Sequence, residues 1–175
     1  MLVLSVIAVL IVILVVVIVT RPEDFSIARS AVMAVSPQKV FPQVNDLHNW
    51  SSWSPWAKLD PNMKMTFTGP AAGTGAAYSW NGNSKVGEGR MTIVESRANE
   101  LVRIKLEFMK PFAATNASEF AFQPQGSQTN VTWSMTGKRN FMMKAMSLVM
   151  NMDKMLGGQF EQGLAQMKAI AEGGK

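Results

Sequence analysis

Hydrophobic and polar positions divide the chain into three stretches of different period. Leu2 to Val19 is apolar throughout apart from Ser5. At about 1.5 Å per residue such a helix rises roughly 27 Å, near a bilayer's hydrocarbon thickness. Residues 1–21 are therefore expected to form one transmembrane anchor, ended by Thr20, Arg21 and Pro22. A cleaved leader fits less well: there is no basic start, no small-x-small site follows, and the run exceeds the usual 7–15 or so residues. Arg21 and Arg29 flank the far side, so the positive-inside rule places the rest, residues 22–175, in the cytoplasm, with an extracytoplasmic placement as the alternative.

From residue 24 the period falls to two. Phe25, Ile27, Met33 and Val35 alternate with small or polar residues, predicting a strand over 24–35. Ser36-Pro37 then reads as a helix start, and Val40, Phe41, Val44 and Leu47 keep helical spacing, although Pro42 limits the helix to a short or distorted one. A second short helical piece is expected at 49–53. After Pro61 about six strands follow. Their apolar positions are Met63–Phe67, Ala77–Trp80, Met91 and Ile93, Val102–Phe108, Phe120 and Phe122, and Val131–Met135. Asn81-Gly82-Asn83, Asn99-Glu100 and Pro124-Gln125-Gly126 supply hairpin turns.

From Asn140 to Glu172 the period becomes helical. Met142, Met146 and Met150 lie four apart, Phe160, Leu164 and Met167 continue the stripe, and Gly157-Gly158 is expected to kink it. Hairpin-length connections imply an antiparallel sheet. The predicted fold is α+β: a curved antiparallel sheet wrapped around one long C-terminal helix, plus the N-terminal transmembrane helix.

Charge and composition remove several functions. The net charge is +5, but the basic residues are dispersed; Lys138 and Arg139 form only a pair, and Arg103 and Lys105 lie among acids. No nucleic-acid partner is expected. The absence of cysteine excludes disulfides, thiolate nucleophiles and zinc-thiolate sites.

Four segments resemble the START/polyketide-cyclase (SRPBCC) superfamily. Residues 40–56 (VFPQVNDLHNWSSWSPW) are similar to its short-helix pair, 69–76 (GPAAGTGA) to its glycine-rich hairpin, 131–137 (VTWSMTG) to its last strand and 163–168 (GLAQMK) to its helix end. The resemblance covers 24–172. It implies the helix-grip fold, with an apolar cavity between sheet and long helix, and a hydrophobic small molecule or lipid as partner. The fold alone assigns no chemistry.

Candidate ligand-lining residues are Trp50, Trp53, Trp80, Met91, Ile93, Ile104, Leu106, Phe108, Phe120, Phe122, Trp133, Met135, Met146 and Met150. Trp50 and Trp53 also read as wedges holding the short helices on the sheet, with Trp56 the most exposed of the three. Seven of the fourteen methionines lie between Met142 and Met167, suiting either a plastic pocket or a core. His48, the only histidine, neighbours Asp46, but no nucleophile elbow accompanies them. Gly69–Gly75 lacks a phosphate loop's Lys-Ser/Thr. Glu107, Glu119 and Arg103 alternate against the apolar face. No catalytic set, metal site or cofactor is expected. The expected function is binding or carriage of an apolar molecule by a membrane-anchored domain. The alternatives are an assembly subunit with a membrane-protein partner, or a cyclase or dehydratase acting on a hydrophobic substrate.

Overall fold

In the computed structural model, which describes residues 2–173, β1 (Asp24–Met33) leads into α2 (Pro37–Asn45), a 3-10 turn (Leu47–Asn49), α3 (Trp50–Trp53) and a second 3-10 turn (Pro55–Lys58). Six strands follow: β2 (Lys64–Thr68), β3 (Ala77–Asn81), β4 (Glu88–Arg97), β5 (Leu101–Lys110), β6 (Ala114–Gln125) and β7 (Gln128–Lys138). They form one antiparallel sheet in the order β1-β7-β6-β5-β4-β3-β2, with β1 returning to pair beside β7. Register shifts in β4 at Glu88/Gly89 and Ile93/Glu95 add local bends. Two C-terminal helices complete the chain, α4 (Phe141–Met146) and α5 (Met152–Ala171). This is the α+β arrangement that the alternating pattern predicts, and it fits the helix-grip fold that the resemblance implies.

Pairing sets the inner face in rows. One row runs Phe25, Gly137, Asn116, Leu106, Met91, Tyr78 and Phe67; the next runs Ile27, Met135, Ser118, Ile104 and Ile93; a third joins Arg29, Trp133, Phe120 and Val102. Phe160, Leu164 and Met167 of α5 close over the last of these and are essentially fully buried.

Two local expectations hold and one is corrected. With Pro42 inside it, α2 is short, 9 residues ending at Asn45. Trp56 is the most exposed of the three clustered tryptophans, half-buried and edge-on to Trp133 and Phe160 at 5.7 and 6.4 Å, while Trp50 and Trp53 are buried. The C-terminal helix breaks at residues 147–151, not at the glycine pair. Asn151 restarts the helix after the break, capping α5 by accepting from Lys154 N at 2.9 Å, as Asn140 caps the start of α4 by accepting from Met143 N at 2.9 Å.

Gly157 serves a different purpose. Arg29 reaches from the inner face of β1 to α5, donating from Nε to Glu161 Oε1 at 2.7 Å and from Nη2 to Asp153 Oδ2 at 3.0 Å. A Cβ on Gly157 would stand 2.1 Å from Arg29 Nη2. Arg29 is therefore a clasp between strand and helix, and its hydrogen bond holds the Asp153 carboxyl below the usual carboxylate range.

The N-terminal expectation is corrected as well. Leu2–Val19 is a helix, α1, and Val3 to Val17 are exposed along its length, while Ile18 is buried where the helix meets α4. Among the described residues, however, no helix is long and apolar enough to cross a membrane. The single-pass anchor, the membrane-side assignment and the membrane partners inferred from it fall together. The orientation argument also loses Arg29, which is occupied within the fold.

The glycine pair yields a prediction of opposite signs. Gly158 has open space around its Cβ position, so Gly158→Ala raises unfolding stability by about 0.5–1 kcal/mol through helix propensity. Gly157→Ala lowers it, because the methyl displaces the Arg29 clasp. Urea unfolding of both variants reads the two signs.

Candidate functional site

The inner face is not covered evenly. At its α5 end the Trp133 indole is sandwiched between Phe120 (centroids 4.8 Å, 26°) and Phe160 (4.2 Å, 11°). Trp50, Trp53 and Trp56 meet it edge-on at 6.3, 5.5 and 5.7 Å. The indole nitrogens are bonded: Trp50 Nε1 donates to Val44 O, Trp53 Nε1 to Gln43 O, and Trp133 Nε1 to Ser118 Oγ. Gly163 lets α5 approach, since a Cβ there would lie 2.8 Å from the Trp133 ring. This end is packed with aromatic rings.

The rows farther from the aromatic cluster keep surface within reach of a water-sized molecule. Ile93, Ile104, Phe120 and Val131 are 0% exposed, whereas Tyr78, Trp80, Met91, Leu106 and Asn116 keep 5–8%. Phe67 and Met65, on edge strand β2, are 37% and 40% exposed. Glycines seat two of these side chains. A Cβ on Gly89 would strike the Trp80 ring at 2.5 Å, and one on Gly137 would lie 2.1 Å from Asn116 Oδ1. Trp80 Nε1 donates to Val86 O, and its ring meets Phe108 edge-on at 5.8 Å.

The predicted lining residues thus fall into four places. Trp50, Trp53, Phe120, Phe122 and Trp133 belong to the packed end, and Ile93 and Ile104 form a sealed floor. Trp80, Met91, Leu106 and Met135, buried in the same core cluster but keeping 5–7% of their surface, lie with half-buried Phe108 at the other end of the face, called the open end here. Met146 is half-buried on α4 and Met150 exposed just before α5. Tyr78 and Asn116 also belong to the open end, although the sequence reading did not single them out. Stepping two residues back from Trp80, or from Phe122 through Phe120 and Ser118, reaches both.

Two other clusters lie elsewhere. Arg103 donates to Glu119 Oε2 at 2.7 Å and pairs with Glu95 on the outer face of the sheet. His48 Nδ1 lies 2.8 Å from Asp46 Oδ1, and its ring stacks on Phe67 at 4.0 Å. That pair borders a small cleft of about 240 Å³ beside Thr68 and Gly69–Ala71. Its imidazole is about half exposed, and Asp46 Oδ1 also accepts from the backbone of His48.

Burial raises the Tyr78 hydroxyl above the ordinary phenol range. The folded state therefore holds this proton more tightly than the unfolded state. The corresponding stability is whole below about pH 10 and falls as pH rises further. Tyr78 is the only tyrosine, so absorbance titration reads it alone. The native chain is predicted to form tyrosinate well above the pH at which the urea-unfolded chain does, and Tyr78→Phe removes this contribution to the alkaline loss of stability. Coincident native and unfolded titrations would contradict the burial argument.

No curated protein matches the chain. Similar solved structures include the Aha1 dimer from Colwellia psychrerythraea (15% identity, 86% of this chain and 98% of that one, TM-score 0.62). A protein of unknown function from Staphylococcus aureus is likewise similar (10% identity, 86% and 94%, TM-score 0.63). So is a protein from Chromobacterium violaceum (13% identity, 84% and 96%, TM-score 0.61). At these identities the likeness shows the shared fold alone. A family model described as polyketide cyclase / dehydrase and lipid transport matches residues 24–172, nearly everything after α1. The chain belongs to the polyketide cyclase / dehydrase and lipid transport family.

Proposed function

We propose that this protein binds a hydrophobic small molecule or lipid at the open end of the sheet's inner face, against Trp80, Met91, Leu106, Phe108 and Met135. The observation that carries the reading is the contrast within one apolar face. Ile93, Ile104, Phe120 and Val131 are 0% exposed, while Trp80, Met91, Leu106 and Met135 keep 5–7% of their surface. The family's description, which names polyketide and lipid chemistry, supports an apolar ligand.

The packed aromatic end bears on where the ligand sits. Trp133, Phe120 and Phe160 leave no ring-sized gap between them, since stacked centroids already lie 4.2–4.8 Å apart. A ligand between Trp133 and α5 would have to displace these rings. At the open end, flexible methionines and the bed around Trp80 can accommodate one with smaller rearrangement. Binding rather than catalysis is favoured, because Arg103 and its acidic partners lie on the outer face, and His48, which borders this end through Phe67, pairs only with Asp46.

Organic extraction and mass spectrometry of the purified full chain tests the reading. A stoichiometric apolar molecule is expected, and Leu106→Phe, which fills the open end, is expected to lower its retention about tenfold while the fold is kept. A chain that carries nothing apolar, and takes up none of a fatty acid, a sterol or a polycyclic phenol, would overturn it.

A further inference from the structure

Two neighbouring inner-face residues of β6 differ in how their polar groups are satisfied. Ser118 accepts from Trp133 Nε1 at 2.9 Å and donates to Ser134 O at 3.2 Å. Asn116, one step along the same face, is 7% exposed, and its Oδ1 is buried with no hydrogen-bond partner among the described residues. Its Nδ2 meets only Met135 Sδ, a weak acceptor, at 3.8 Å. An amide held this way in apolar surroundings carries a desolvation penalty that nothing beside it offsets.

The position is nonetheless shaped for that amide. Pairing sets Asn116 between Leu106 on one side and Gly137 on the other, and any side chain at 137 would collide with Oδ1. The same row continues through Met91 to Tyr78, whose hydroxyl makes no hydrogen bond among the described residues. An unsatisfied amide therefore sits among the apolar side chains of the open end.

We infer that Asn116 is the polar anchor of this site and that the ligand is an apolar alcohol or phenol. The inference rests on the binding reading above and names the ligand's polar group. A hydroxyl donates to Oδ1 and presents lone pairs to Nδ2, so a single group satisfies both ends of the amide. A carboxylate has no proton for Oδ1. A plain hydrocarbon leaves both ends unpaired.

Equilibrium dialysis of the full chain against 2-naphthol, naphthalene and 2-naphthoate tests this. 2-Naphthol is expected to bind about tenfold more tightly than either of the others. Asn116→Leu is expected to erase that preference, keep naphthalene affinity and raise the ligand-free unfolding midpoint, since it removes an unpaired amide. Equal binding of naphthol and naphthalene by the wild type would overturn the anchor and leave the binding reading standing. So would a preference that survives in Asn116→Leu, or a lowered midpoint, which would make the amide structural. If the wild type binds none of the three probes, the anchor falls, and the binding reading is decided by the extraction and uptake experiment above. The wild-type comparison holds even if the variant does not fold.

Discussion

The inner face is organised around the Trp133 indole. Its two faces are taken by Phe120 and Phe160, its edge by three further tryptophans, and its nitrogen by Ser118. Strands β6 and β7, the short helices and α5 all meet there. Truncating a buried aromatic of this kind typically costs about 3–5 kcal/mol, so this one cluster carries a large share of the domain's stability. Gly163 gives α5 its close approach, and the Arg29 clasp at Gly157 holds the helix along β1.

Packing this end so completely has a consequence at the other. The helix and the short-helix pair are committed to the rows around Trp133 and to β1, while β3, β4 and β5 extend beyond them. The apolar side chains there were selected by the same alternation but keep accessible surface. A single sheet face thus serves as structural core at one end and as a binding surface in our reading at the other.

Much of this was legible in the sequence, for a physical reason. Val102, Ile104, Leu106 and Phe108 alternate so cleanly because a half-buried strand allows little else, and the hairpin turns fix antiparallel order. The helix break was not legible, since Asn151 acts through capping geometry that helical periodicity does not reveal. Gly157 looked like a weak point because its partner, Arg29, is distant in sequence. The division of the lining residues was hidden for a similar reason: Trp133 and Met135 have the same pattern in the chain, and only the path of α5 separates their environments. The apolar N-terminal run predicted a helix correctly, but among the described residues no helix is long and apolar enough to cross a membrane.

Methionines happen to mark both ends, so methyl NMR of the full chain labelled at methionine offers the most direct test of where a ligand sits. Met91 and Met135 report the open end, and Met33 and Met167, both 0% exposed, report the sealed core. Saturation with 2-naphthol is predicted to shift the Met91 and Met135 methyls while Met33 and Met167 stay in place. Shifts confined to Met33 and Met167 would put the ligand beneath α5 and contradict the account.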